Sequence, residues 1–255
     1  MKKILNKNSI LENQNHLRFL IDEFLSELKA DSYKNQKKIL ELCHVGKFLM
    51  FFDYNLTIES INEEPDFIIK EKKVRKGLEH QIIVSQESKE TEGYFNNLIM
   101  NAEKELRKDK DLPNFLANIY VNPYFHGKKQ DKKKLIDEIC ILVKHYILEK
   151  ELKENDIIDR ISSMNHSQIS LNSNLGAWWQ KEITKEIIHS AILKKEKKID
   201  NYISKTGLNQ WLLLVIGGVG ESSYQCNENL DIELETKFER VFLLEDFNNN
   251  LYQLK

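Results

Sequence analysis

A mixed α/β fold with a helical N-terminal segment is what this chain predicts, on three observations. Several long segments repeat apolar residues at three- and four-residue spacing, and short alternating or continuous apolar runs separate them. Two consecutive runs of the second kind each carry a carboxylate, in Glu64-Pro65-Asp66-Phe67-Ile68-Ile69 and in Gly77-Leu78-Glu79-His80-Gln81-Ile82-Ile83-Val84.

In chain order, Leu17, Leu20, Ile21, Phe24, Leu25 and Leu28 form the buried stripe of a helix over residues 16–29. A second helix begins near residue 34, with Ile39, Leu40, Cys43, Lys47 and Met50 as its stripe and Glu41 on a flank. Residues 56–61 alternate and read as a first strand, and the two carboxylate-bearing strands follow as a hairpin with Lys72-Lys73 at its tip. A polar run over 85–92 leads into a helix with Phe95, Leu98, Ile99, Ala102 and Leu106 on one face. Residues 115–121 read as a strand, which makes that helix a crossover, right-handed for parallel strands. Leu135, Ile136, Ile139, Val143 and Ile147 mark a helix over 131–149, and the Asn-, Ser- and Asp-rich stretch 155–176 reads as a long surface loop, with 169–171 as a candidate short strand. A helix over 181–203 follows, then an apolar strand over 211–216 and a terminal hairpin of 238–245 with 251–254 around Asn248-Asn249-Asn250. The expected sheet has about four to six strands flanked by helices. Residues 1–255 read as one domain, 1–52 as N-terminal helices and 53–255 as a core with helical additions.

Composition bounds the function classes. The net charge of −2 gives no global cationic field, so a nucleic-acid surface has to be a local patch. No apolar run approaches a membrane span, and Met1-Lys2-Lys3-Ile4-Leu5 turns polar too soon for a signal peptide, so the cytoplasm is the expected location. The three cysteines, Cys43, Cys140 and Cys226, lack Cys-x-x-Cys spacing and read as reduced. The seven histidines show no zinc spacing.

The carboxylates carry the chemistry. A symmetric hairpin sets Asp66 opposite Glu79, and alternation puts Gln81 on the Glu79 face while Leu78, His80 and Ile82 point to the other. Burying such a pair among apolar residues is costly unless a cation compensates it, and a divalent metal is the usual one. The bland reading is a turn-flanking Asp and a Glu paired with one of many lysines. In the helix over 181–203 the buried stripe runs Ile188, Ile192, Lys195, Ile199, Tyr202, so Lys195 sits where the pattern asks for an apolar residue. Lys194, Lys197 and Lys198 lie off that stripe. With Glu196 and Asp200 interleaved, they read as a solvated face or as contacts to phosphates. Gly217-Gly218-Val219-Gly220 lacks the ending of a phosphate loop and reads as a turn. Trp178-Trp179 reads as packing or as a base-stacking pair.

Pro65-Asp66 on one strand with Glu79-x-Gln81 on the next resembles the signature of the PD-(D/E)XK nuclease superfamily, the restriction-endonuclease-like proteins, with Gln81 in the lysine position. A bacterial branch of it is similar over a longer stretch. There Pro65-Asp66-Phe67 and Gly77-Leu78-Glu79-His80 are matched, then Ile192, Lys195, Lys198 and Tyr202, then Trp211-Leu212-Leu213, Ser222-Ser223 and Phe238-x-x-Val241-Phe242-Leu243. The resemblance implies a restriction-endonuclease-like α/β core and cleavage of phosphodiesters, most readily in DNA, within a defence or repair setting and with a possible partner subunit. It implies catalytic roles for Asp66, Glu79 and Gln81, and Mg²⁺ or Mn²⁺ held by Asp66, Glu79 and the backbone carbonyl of His80. Lys195 either supplies the cation missing at Gln81 or snorkels to solvent along the core edge. Glu64 or Glu41 are further candidates for the acidic cluster. The rival reading is a catalytically inactive nuclease-like module that binds nucleic acid or a protein.

Overall fold

The computed structural model describes residues 1–6, 8–28, 32–122, 125, 131–175, 180–218, 220–227 and 229–255. The fold is mixed α/β, as expected. It divides into two compact units where the sequence reads as one domain: Met1–Val84 with Lys181–Val219 and Ser223–Lys255, and Ser85–Gln180 with Gly220–Ser222.

The first unit contains β1 (Lys2–Ile4), α1 (Ile10–Glu27), α2 (Tyr33–Leu49), a 3₁₀ turn over Met50–Asn55, β2 (Leu56–Ile61), β3 (Phe67–Glu71) and β4 (Val74–Ile82). The second contributes α3 (Gln86–Leu106), β5 (Phe115–Val121), α4 (Lys132–Glu149), β6 (Ile158–Asn165) and β7 (Ser170–Asn174). The chain then completes the first unit with β8 (Lys181–Glu182), α5 (Lys185–Glu196), α6 (Ile199–Thr206), β9 (Gln210–Ile216), β10 (Tyr224–Gln225), β11 (Arg240–Glu245) and β12 (Asn250–Gln253).

The main sheet of the first unit has seven strands, more than the expected four to six, in the order β1-β12-β11-β9-β4-β3-β2. Its centre is parallel, β4 beside β9 beside β11, and its flanks are antiparallel. Every residue of β9 is buried, as a central parallel strand covered on both faces requires. Leu213 and Val215 join Leu42, Val45, Phe48 and Leu49 of α2 on one face. Leu212, Leu214 and Ile216 join Ile188 and Ile192 of α5 and Ile199 of α6 on the other. Gly77 makes room where β4 meets β9: a Cβ there would lie 2.1 Å from Oε1 of Gln210 and would displace that buried side chain, whose Nε2 donates a hydrogen bond to the Leu208 carbonyl.

The hairpin of β3 and β4 has the symmetric register: Glu71 pairs with Val74 and Phe67 with Leu78, so the next pair outward is Asp66 and Glu79. Lys72 takes a left-handed φ of 56° at the tip, where Gly or Asn would be cheaper by roughly 1 kcal/mol. The hydrophobic pairs along the strands outweigh that cost.

Four expectations need correction. The buried face of α2 is Leu42, Val45, Phe48 and Leu49, with Glu41 and His44 buried among them, while Leu40 is exposed. The expected crossover from β4 to β5 within one sheet is absent: β5 is the centre of a separate three-stranded sheet, β6-β5-β7. Its alternating burial explains this, since one face packs on α3 and α4 through Ala117 and Ile119 and the other does not. The expected loop over 155–176 contains β6 as well as β7, which overlaps the candidate strand at 169–171; Ile158 and Ile161 are both buried because a bulge opposite Tyr120 and Val121 interrupts the alternation of β6. The single helix expected over 181–203 is β8, α5 and α6, broken at Lys197 and Lys198, where Lys194 and Lys198 would stand one turn apart as like charges. Trp178-Trp179 and Val219 lie outside the described residues. No helix among the described residues is long and apolar enough to cross a membrane.

Candidate active site

The parallel pairing of β4 with β9 decides how β4 presents its polar groups. Gly77 and Ile83 donate their N–H groups to Asn209 and Val215, on the β9 side. Alternate residues turn theirs to the β3 side, and there the His80 N–H meets Oδ2 of Asp66 at 2.9 Å. Asp66 precedes the first paired residue of β3, so its carboxylate takes the place of a ladder carbonyl. Its backbone is fixed in turn, with the Asp66 carbonyl accepting from the Asn62 N–H at 2.8 Å.

Glu79 lies on the α5 and α6 face of β4 and is 2% exposed. Lys195, near the end of α5, reaches back across the sequence: its Nζ is 2.7 Å from Oε2 of Glu79 and 3.8 Å from Oδ2 of Asp66. Burial, then the adjacent Asp66 carboxyl, push the Glu79 carboxyl up to about 7, and Lys195 opposes both. Tyr202 of α6 is buried beside it, its hydroxyl pushed up by burial first and then by the Glu79 charge.

The other oxygen of Asp66, Oδ1, faces Lys38 of α2 at 3.8 Å. Lys38 also donates to Glu41 Oε2 at 3.1 Å and to the Asn62 carbonyl at 3.0 Å, so Asp66 stands between two ammonium groups from opposite sides of the sheet. The His80 imidazole points away to the α2 face, where its Nε2 lies 3.0 Å from Nδ1 of His44. Burial, then the neighbouring His44 and the Lys195 and Lys38 charges, hold His80 well below its ordinary 6.5. His44 is also held low by burial, against the pull of Asp246, whose other oxygen is 2.7 Å from Lys47.

Of the expected site residues, Asp66, Glu79 and Lys195 are thus brought together, and His80 joins them through its backbone alone. Gln81 lines a cavity of about 370 Å³ with Asp66 and Lys195, and its buried Oε1 has no hydrogen-bond partner among the described residues. Glu64 lines a larger cavity of about 840 Å³ that also reaches Asp66, Glu79 and Lys195. Glu41 is buried and paired with Lys38 instead of standing on a flank.

Sequence reasoning missed Lys38 and His44. Both lie three residues from Glu41, on one helical face with Leu42 and Val45, and that spacing was the available signal.

Among the described residues no group of three or more His, Cys, Asp and Glu side chains is placed to hold a metal ion. The donor set present still suits a hard cation. Mg²⁺ is commonly held by one or two carboxylates, with waters and substrate phosphate completing its shell. Asp66 and Glu79 offer such a pair, with Lys195 within 3.8 Å of both, and Glu79 is raised first by burial and then by the neighbouring Asp66 carboxyl. Those two residues would hold the ion, and Lys195 would yield its contact with Glu79. Comparison with protein families, with curated proteins and with solved structures returned no match.

Proposed function

We propose that the protein is a metal-dependent nuclease of the PD-(D/E)XK type that hydrolyses phosphodiester bonds, in DNA by preference, in the cytoplasm. The observation that carries this reading is Lys195, which leaves the stripe of α5 to place its ammonium 2.7 Å from Glu79 and 3.8 Å from Asp66. Contact with Lys195 offsets the cost of burying Glu79, and its approach to Asp66 as well sets one cation beside both acids, as a nuclease requires. Lys195 thus takes the part that the superfamily signature assigns to the residue at Gln81.

A bound Mg²⁺ or Mn²⁺ supplies charge stabilisation on the phosphoryl oxygens and lowers the pKa of a water. Asp66 is oriented for its part by the His80 N–H, and Glu79 is kept ionisable by Lys195. The Lys195 ammonium, held in a largely water-excluded position, stabilises negative charge as it develops on the phosphate. Gln81 lines the cavity beside them, and its amide, whose Oε1 is buried without a partner among the described residues, would turn toward that cavity to orient the attacking water.

Cleavage of single- and double-stranded DNA and RNA with Mg²⁺ or Mn²⁺ tests this, comparing the native protein with Glu79→Ala and Asp66→Ala. Metal-dependent cleavage that both substitutions abolish is the expected result, and no cleavage on any substrate would sink the reading.

One observation favours a second reading. The same ammonium neutralises the acidic pair without any metal, as a silent nuclease-like module binding nucleic acid or a partner protein would do. Calorimetric titration with Mn²⁺ separates the two: a nuclease binds the ion through Asp66 and Glu79, and a module whose Lys195 is a permanent counter-ion does not.

A further inference from the structure

The mouth of the 840 Å³ cavity carries a second cluster that catalysis at Asp66 and Glu79 does not use. Glu64 Oε2 accepts from Asn201 Nδ2 at 2.8 Å and from Lys205 Nζ at 2.5 Å, and Oε1 lies 3.9 Å from Lys198 Nζ. All three donors belong to α6 or its N-cap. Glu64 is two residues before Asp66, and Lys198 and Lys205 line the same cavity as Asp66, Glu79 and Lys195. An oxyanion is therefore bound by two ammoniums and an amide beside the acidic pair. Those are the donors that bind a phosphate oxygen.

We propose that Lys198, Asn201 and Lys205 form a binding site for a substrate phosphate flanking the one that is cut, and that the Glu64 carboxylate occupies this site until substrate displaces it. The inference rests on the nuclease reading for the identity of the substrate. Two features support displacement. The pair is at the surface, with the Glu64 and Lys205 side chains 31% and 52% exposed, and ion pairs of that exposure hold weakly. The cavity wall also sets Lys37, Arg75, Lys195, Lys198 and Lys205 against Glu63, Glu64, Asp66 and Glu79, so swinging Glu64 aside leaves a cationic surface for a polyanion. An ordinary structural ion pair would instead tie α6 to the segment before β3 and would have no bearing on ligands.

The two roles predict opposite signs. Binding of a fluorescein-labelled 12-base-pair DNA to the full chain is followed by anisotropy in EDTA, so that cleavage does not enter. Glu64→Gln is expected to tighten binding about threefold to fivefold, the size of one exposed ion pair. Lys205→Ala is expected to weaken it and to lower the salt slope by about 1. The Glu64→Gln gain should vanish in the Lys205→Ala background, which mere removal of a negative charge would not produce. Glu63→Gln is the control, since it removes a charge from the same cavity wall but from a side chain paired with Lys34, 2.9 Å away. An equal gain in Glu63→Gln, or no gain in Glu64→Gln, would overturn the proposal.

A second arm uses inorganic phosphate and ³¹P line broadening. It separates this inference from the nuclease reading, because a Glu64→Gln gain for phosphate upholds the anion site even where Mg²⁺ elicits no cleavage. Phosphate binding with no DNA affinity in any variant would overturn the assignment of a nucleic-acid substrate.

Discussion

Two lysine–glutamate pairs, Lys195 with Glu79 and Lys205 with Glu64, stand in one cavity at nearly equal separations, 2.7 and 2.5 Å, and differ in almost everything else. Glu79 is 2% exposed at the floor, whereas Glu64 is 31% exposed at the mouth. Glu79 has lost its water while Lys195, 23% exposed, keeps some, so the buried charge depends on its partner, and Glu79 is pushed up to about 7 even with Lys195 in contact. The mouth pair keeps its water, and Lys205, Asn201 and Lys198 hold Glu64 below the usual carboxylate range. Distance alone does not rank ion pairs. Burial decides which one opens only to a replacing cation and which one opens to a competing anion.

The sharpest test of this comparison is catalytic. Lys195→Ala should cut the cleavage rate about 10²- to 10³-fold, as loss of a preorganised charge beside the reacting phosphate does, with KM little changed. Lys205→Ala should do the reverse, raising KM and leaving kcat near normal. Steady-state kinetics on one DNA substrate reads both, and equal kcat losses would break the distinction between floor and mouth.

An effect of similar size is expected on stability at pH 8. Lys195→Met leaves Glu79 buried and uncompensated, a cost of about 4 kcal/mol. Lys205→Met should stay within about 0.5 kcal/mol. Thermal melts without metal compare them, and similar midpoints would show that the floor pair is better hydrated than its burial indicates.

The residues that form this contrast were unequally legible in the sequence. Asp66 and Glu79 stood out because a carboxylate in an apolar strand breaks a simple pattern, and the hairpin register followed from the spacing about Lys72-Lys73. Lys195 stood out likewise, as a cation in an apolar stripe. The buried polar face of α2 did not, because Glu41 and His44 score as solvent-facing until their partners Lys38 and His80 are known, and those come from another turn and another strand. The stripe was therefore placed on the wrong side, through Leu40 and Cys43. A similar limit hid β6 and the full extent of β7, of which 169–171 alone reads as strand: the exposed face of a three-stranded sheet carries Asn and Ser without penalty, and the bulge that sets Ile158 and Ile161 three residues apart breaks the alternation that marks a strand. Separation of β5 from the main sheet is a matter of long-range pairing, which periodicity does not encode. The anion cluster is legible only in part: Glu64 and Lys198 draw notice singly, whereas Asn201 and Lys205 are ordinary surface residues until the fold brings all four together.

The last effect comes from the two faces of β4. Glu79 on one face has a folded pKa raised from 4.5 to about 7. The unfolded chain therefore releases this proton first, and the contribution of Glu79 to stability, full below 4.5, is lost as pH rises to about 7. One pKa unit is 1.36 kcal/mol, so the full excursion is about 3 kcal/mol. His80 and His44 on the other face are lowered from 6.5, so their contribution is present above 6.5 and is lost as pH falls. Between 4.5 and 6.5 the two slopes oppose one another, and the native protein should show a shallow pH dependence there. Glu79→Gln removes the falling slope and exposes the rising one. Its melting temperature should climb with pH up to about 6.5 and then level off. A Glu79→Gln profile parallel to the native one would mean that the carboxylate at the floor titrates normally, and the distinction between a desolvated floor and a hydrated mouth would go with it.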